Sequence, residues 1–562
     1  ASDLDGGVGN FDEVFTLVGG GTDGTAVMPL NVTSGGGADI LDGGAGNDTI
    51  DGGAGADIID GNAGLDNLSG GAGNDVMRQN SKAEFITAYG ADIVDGGDGT
   101  DTLELGVAMN LVATQLATIS NIEAISIPDG SDLTISDTVL AANPGVKFNF
   151  AGAGTLSTGE DTAGASLMTT AINVDSTAAG NIKLIGSQAD DTFTFHPTET
   201  LTADDTIDGN AGSDTIILST QDDLDSTGEA VSGTFGANVT NVETIKISDQ
   251  GADQSAGNAE VVINSGFTGL SITVDGTDLD ANPTDLTAGE ALTVTNGDNT
   301  ALTVLGGGFN DTVTSSGGND SLVGNAGADS LKAGAGNDTI EGGAGDDALW
   351  GEAGLDSIDG GAGNDVIHIA DDDHFKTSGG VETVNGGAGT DTLNFAEAAG
   401  LTLTAPELSK LYSVEKITLT GSTTASLTFG NETFTNLGNS SLQITTTTGN
   451  STTAIDGSAV TNGSFLIIDD NSNANNDSIT GGSGDDIFRV GDTFLAATDS
   501  FNGNAGTDTI QLDNDDAVTA SLDFDLIRNV EQLTIYTVDG VSDGLATVTL
   551  GVNAADSTNT GT

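Results

Sequence analysis

The stretch "LDGGAGNDTIDGGAGADIIDGNAGLDNLSGGAGNDVM", from Leu41 to Met77, decides how the rest of the chain reads. An aspartate returns every nine residues, at Asp48, Asp57, Asp66 and Asp75, and Asp39 keeps the same beat ahead of them. The repeating unit is G-G-x-G-x-D-x-U-x, with U apolar: Ile50, Ile59, Leu68 and Met77 fill that slot in turn. Glycine reaches positive φ without steric cost, so the first six residues can turn sharply. The last three suit a short strand whose central residue points inward. Two units then close one coil of two turns and two strands. Turns on one side stack every second unit, which brings aspartates n and n+18 to one gap with the glycine-loop carbonyls.

Several oxygens at one point suit Ca²⁺, which takes about 6–8 oxygen ligands. Mg²⁺ demands a smaller octahedral site. Zn²⁺ prefers His and Cys, and the chain has three His and no Cys.

Composition agrees. The 562 residues include 85 acidic and 11 basic side chains, a net charge of -74. Such a balance excludes nucleic-acid phosphate as a partner and opposes compaction unless a cation offsets it. Acidic chains poor in aromatics are often disordered, but here 36% of residues are apolar and alternate with Thr and Ser in short runs, a β pattern. With no cysteine, a secreted fold must be stapled by something other than disulfides. No apolar run is long enough for a membrane span. No N-terminal signal segment is read, and the chain opens on Ala1, as a processed product or an excerpt would.

The beat recurs in four cassettes. After the opening run, an insertion precedes Asp92 and Asp101. In the second cassette Asp191 is followed by Asp205 and Asp214. The third is longest, with Asp311, Asp320, Asp329, Asp338, Asp347, Asp356 and Asp365, then Glu382 and Asp391. The fourth holds Asp477, Asp486, Asp499 and Asp508. Each insertion adds four to eight residues to the nine, enough to bulge without breaking the coil. Two departures stand out. Phe309 replaces the fourth-position glycine before Asp311, which predicts an altered turn and a weakened site. Glu352 replaces a second-position glycine.

Every cassette passes into a strand ("GTDTLEL", "GSDTIIL", "GTDTLNF", "GTDTIQL") and later into "NIEAISI", "NVETIKI", "SVEKITL" or "NVEQLTI". Glu123, Glu243, Glu415 and Glu531 share one position there, which reads as a structural hydrogen bond or a strand edge rather than catalysis. Short helical turns are expected at "LVATQLATI" and "APELSKLYSV".

The expected layout is a β segment at 1–33, cassettes at 34–140, 186–270, 306–425 and 477–562, and β connectors at 141–185, 271–305 and 426–476. The fold class is all-β: calcium-binding parallel β-roll or β-solenoid segments alternating with β-sheet segments. Same-side aspartate pairs number roughly 15, each offering one Ca²⁺ site.

The nonapeptides resemble those of RTX proteins. These are mostly bacterial, exported by type I secretion and folded by calcium outside the cell, where metal binding supplies folding free energy. The cassette, "GGAGTDTLNF" followed by "SVEKITL" and Thr/Ser-rich strands, resembles the calcium-binding half of Caulobacter-type surface-layer proteins over most of 34–562.

This implies a secreted, self-associating protein at a bacterial surface, with cell-surface polysaccharide bound through another region. An adhesin repeat region is the alternative. An enzyme is disfavoured: no HExxH and no GxSxG occurs, and carboxylate pairs are too many to single one out. His196, His368 and His374 lie near the ends of repeat runs; His374 reads as part of a solvated loop, and Trp350 as a lone packing residue.

Overall fold

The computed structural model describes residues 16–18, 29–85, 90–158, 168–176, 181–196, 201, 204–219, 231–235, 238–248, 259–263, 272–276, 291–297, 299–369, 382–396, 400–420, 424–438, 441–446, 453–469, 477–491, 499–513 and 526–536. His374 lies outside them. The chain divides into two units, Ala1–Gly289 and Glu290–Thr562.

In the first unit one ladder of parallel strands climbs through Thr16–Val18, Ile40–Asp42, Ile58–Asp60, Val76–Gln79, Thr102–Leu105 and Ala124–Ile127. It continues without a break through Lys147–Phe150, Asn173–Ser176, Thr192–Phe195, Thr215–Ser219, Thr244–Ser248 and Ile272–Asp275. A second ladder pairs Asn31–Thr33, Thr49–Asp51, Asn67–Ala72, Ile93–Asp98 and Ile119–Ser120. A third runs from Asn110–Leu111 through Ser131–Thr134, Gly154–Ser157, Ile182–Ile185 and Thr206–Asp208 to Val239–Thr240.

The second unit repeats the plan. Its main ladder starts at Leu292–Asn296, passes through Ala348–Ala353, Thr392–Phe395 and Ser464–Asp469, and ends at Gln532–Tyr536. Its second ladder runs from Leu302–Leu305 to Leu411–Tyr412. Its third runs from Thr402–Leu403 to Ile527–Arg528.

These ladders are β-rolls. In the repeats the register advances by 18 residues (Ile40 opposite Ile58, Thr339 opposite Ser357). Elsewhere it advances by more: Ala124 lies opposite Lys147. Stretches between cassettes are coils of the same ladders, since their Thr/Val/Ile alternation also places one apolar residue inward per strand. Leu41, Ile59, Met77 and Leu103 form one such column, and Ile50, Leu68 and Val94 another on the second ladder, none more than 1% exposed. Each is worth about 1.5–3 kcal/mol on burial, and each covers only its neighbours above and below.

The sequence reading missed three helices: Lys82–Phe85, Asp137–Ala142 and Asn431–Leu437. Asp137–Ala142 buries Val139 and Leu140, and Asn431–Leu437 buries Phe434 and Leu437. Asn121 N–H donates to Ala142 O, and Asn143 holds Ile122 N–H and Ile119 O through its carboxamide. In the third cassette Ser413 N–H donates to Asn436 O. Both helices thus receive the backbone at the end of a repeat ladder. "APELSKLYSV" does give a helix, Ala405–Leu408, with a Thr404/Glu407 capping box. "LVATQLATI" gives only turns at 113–118. Among the described residues no helix is long and apolar enough to cross a membrane.

Candidate metal centre

All twenty-three acidic residues singled out by the spacing are buried, none more than 6% exposed. Each aspartate sits where a turn enters a strand, and the coil stacking assigns its two oxygens different tasks. Oδ1 accepts the backbone N–H of the aspartate one coil earlier. Asp57 takes Asp39 N–H at 2.7 Å, Asp66 takes Asp48 at 2.7 Å and Asp101 takes Asp75 at 2.8 Å. The same bond joins Asp57 to Asp75, Asp66 to Asp92, Asp191 to Asp214, Asp477 to Asp499 and Asp486 to Asp508. In the longest run it links Asp311, Asp329, Asp347, Asp365 and Asp391 on one side, and Asp320, Asp338 and Asp356 on the other. Asp205 takes Ile182 N–H. Glu382 lies beside Asp356; burial first, and the Asp356 charge second, push its carboxyl up to about 8.

Oδ2 is the chemically telling atom. In Asp48, Asp57, Asp66, Asp75, Asp101, Asp214, Asp329, Asp338, Asp347, Asp365, Asp391 and Asp508 it is buried without a hydrogen-bond partner. A side chain on Gly43 would meet Asp48 Oδ2 at 2.5 Å and Gly61 O at 2.9 Å. One on Gly52 would meet Asp57 Oδ2 at 2.5 Å and Gly70 O at 2.6 Å. The bare glycine therefore keeps open a spot on which a carboxylate oxygen and the next coil's carbonyl converge. This corrects the simple picture of two carboxylates meeting at one gap: successive aspartates are joined through Oδ1 and the amide, and the free donors are one carboxylate oxygen plus carbonyls. Among the described residues no place gathers three or more His, Cys, Asp or Glu side chains within metal-binding reach. An all-oxygen set of this kind fits Ca²⁺. The cation would supply the positive charge that these buried oxygens lack.

Burial drives their protonation. Desolvation, opposed by the amide hydrogen bond, pushes Asp66, Asp214, Asp329 and Asp338 up to about 7. Asp57, Asp92, Asp311, Asp365 and Asp486 rise to about 6 for the same reason.

Three turns are built differently. Asp191 Oδ2 accepts Ser187 N–H at 2.6 Å, Asp311 accepts Gly307 N–H at 2.8 Å and Asp486 accepts Gly482 N–H at 2.8 Å. These turns close on their own carboxylate, and none has a positive φ at its second position, unlike Gly44, Gly53 and even Glu352. An N–H dipole aimed at Oδ2 occupies the oxygen and repels a cation. The altered turn expected from Phe309 is thus present, and Gly484 shows that a glycine in that slot does not by itself keep a turn open.

Two sets of residues frame the aspartates. Glu123, Glu243, Glu415 and Glu531 each accept, through Oε2, the N–H of the last aspartate in a cassette (Asp101, Asp214, Asp391 and Asp508). They replace the missing next aspartate, and the strand sequences made them findable. The other set went unread. Where the residue before the aspartate is Asn or Asp, a ladder forms in the opposite sense: Asn47, Asn74, Asn310, Asn319, Asn337 and Asp346 accept, through Oδ1, an N–H one coil later. The recurrence of "ND" and "DD" was its signal.

Trp350 is not a lone packing residue. It stacks on His368 with ring centroids 4.3 Å apart and planes 6° from parallel, because the register places them side by side. Burial lowers the His368 pKa. His196 Nε2 pairs with Asp175 Oδ1 at 2.5 Å, and the imidazole holds that carboxyl below its usual range.

The family described as RTX calcium-binding nonapeptide repeat (four copies) matches residues 33–68, 52–78, 86–107, 200–224, 305–340, 332–367, 370–393 and 471–492. These stretches touch all four cassettes and cover about a third of the chain. The chain therefore carries RTX repeats, which bind Ca²⁺. No curated protein matches the chain.

Proposed function

We propose that this is a secreted structural protein that calcium folds outside a bacterial cell, and that copies of it associate into a surface layer or filament. The observation that carries the calcium part is the row of buried Oδ2 atoms without partners, most of them beside a backbone carbonyl of the next coil. Leaving such an oxygen unsatisfied costs about 1–3 kcal/mol, more when charged, so the folded turn needs the ion. Since Asp191, Asp311 and Asp486 are already hydrogen-bonded, the roughly 15 pairs reduce to about a dozen sites.

The assembly part is supported by the parallel coils of both units and by the net charge of -74. About a dozen ions would offset only some 24 charges, which leaves acidic faces for further cations to bridge between copies. The matched family is a calcium-binding repeat and not an enzyme family. Cell-surface polysaccharide would be held through another region.

Negative-stain electron microscopy in millimolar calcium and then in EGTA tests the reading. Sheets or filaments that dissolve in EGTA support it. Discrete rods at every concentration would favour the repeat region of an adhesin. A shape and secondary structure indifferent to EGTA would sink the calcium argument.

A further inference from the structure

We infer that the first cassette holds a second kind of cation site, built by the side chains of Gln79, Glu84 and Asp92 instead of by a glycine turn. The inference rests on the calcium reading above and adds a site that the nonapeptide does not encode.

Gln79 ends the strand Val76–Gln79 and points inward with Met77. It is fully buried, and both its carboxamide atoms lack a hydrogen-bond partner. Its neighbour in register is Leu105. The residue four after the corresponding aspartate in the other cassettes is Phe195, Ile369 or Val490, all buried and apolar. A polar side chain in this column is thus peculiar to the first cassette, and buried polar atoms almost always have a partner.

The partner is supplied locally. The insertion forms the short helix Lys82–Phe85, which buries Glu84. Glu84 Oε2 accepts Asn80 N–H at 2.8 Å, and Glu84 O accepts Asp92 N–H at 3.0 Å, so the two acidic residues are tied together. Asp92 Oδ1 is taken by Asp66 N–H, while its Oδ2 is buried without a partner. The Gln79 carboxamide faces that carboxylate closely enough to favour its charge, yet outside hydrogen-bond geometry. The sequence before Asp92 is "TAYGAD", lacking the first two glycines of the repeat, so this turn does not have the usual means of keeping a cradle open.

Burial first, then the charges of Asp60 and Asp92, push the Glu84 carboxyl up to about 7, and a cation would offset this charge where a water would not. The donors are all oxygen: a carboxamide and two carboxylates. That set selects a hard divalent ion, Ca²⁺, over Zn²⁺.

The test uses the full chain with calcium alone as probe. Wild type, Q79L, E84Q, Q79E and a control, I369V, are stripped with EGTA, returned to saturating calcium and dialysed. Bound calcium is read by emission spectrometry against amino-acid analysis. Q79L and E84Q should each retain one ion fewer per chain, and I369V the full number. Q79E adds a carboxylate ligand. It should keep every ion and lower, several-fold, the calcium concentration at the circular-dichroism midpoint of folding. An undiminished count in Q79L and E84Q, or a raised midpoint in Q79E, overturns the inference and leaves water in the site. A wild type that binds no calcium would take the broader reading down with it.

Discussion

Asp311 and Asp347 carry the same side chain at the same place in the repeat, yet one Oδ2 accepts Gly307 N–H and the other has no partner. Substituting each by Asn should therefore have opposite consequences. D347N removes charge from an open cradle, where Gly342 faces Asp347 Oδ2 and Gly360 O, and should lower the bound calcium by one ion per chain, as counted by emission spectrometry. D311N places its amide against the Gly307 N–H or gives up charge assistance. It should cost about 1–3 kcal/mol of stability in denaturant melts while leaving the calcium count intact.

Glycine behaves in the same position-dependent way. A side chain at Gly52 would overlap Asp57 Oδ2 and Gly70 O, whereas Gly36 has nothing within 4 Å of the added atom. G52A should raise the calcium midpoint of folding several-fold, and G36A should leave it unchanged. A G52A midpoint equal to wild type would mean that the cradle is not where the ion sits.

At the scale of the element, a cassette is a stack with two different ends. Its last aspartate would present an amide with no acceptor if Glu123, Glu243, Glu415 or Glu531 did not reach back from the next coil. E123A should therefore destabilise the first cassette by about 1–3 kcal/mol, seen as faster hydrogen exchange at Asp101 N–H, with no calcium lost. The helices Asp137–Ala142 and Asn431–Leu437 meet the backbone at the same kind of boundary. Neither announces itself in sequence: six or seven residues with two or three buried positions give too little periodicity to separate helix from strand. The closed turn at Asp486 was equally hidden, because "GGSGDD" keeps every glycine of the repeat, whereas at Asp191 "GSQADD" had already lost the second and fourth glycines.

For the whole molecule the decisive quantity is the charge held inside it. The buried aspartates with pKa values of about 6 to 7 titrate well above the 3.8 of an ordinary aspartate. Their protonation favours the calcium-free fold fully below about pH 3.8, and that contribution is lost as pH rises through 6 to 7. In EGTA, acidification from pH 7.5 to 5 should raise the β signal in far-ultraviolet circular dichroism. In saturating calcium the trend should reverse, as protons compete with the ion for the same oxygens. A calcium-free chain that loses structure on the same acidification would contradict the burial of these groups.

The sequence by itself determined the coil. A nine-residue beat with one apolar slot per strand leaves a parallel roll as the arrangement that buries every slot, and the structure buries all twenty-three acidic residues that the spacing marked. Tertiary structure alone decided which oxygen of each aspartate is spent on the backbone and which is left for a cation. That choice depends on an amide one coil away for Oδ1, on the peptide orientation four residues earlier in the turn for Oδ2, and at Gln79 on an insertion folding back over it. Such facts belong to contacts between coils, where residues far apart in the chain share one small volume and the repeat pattern is silent.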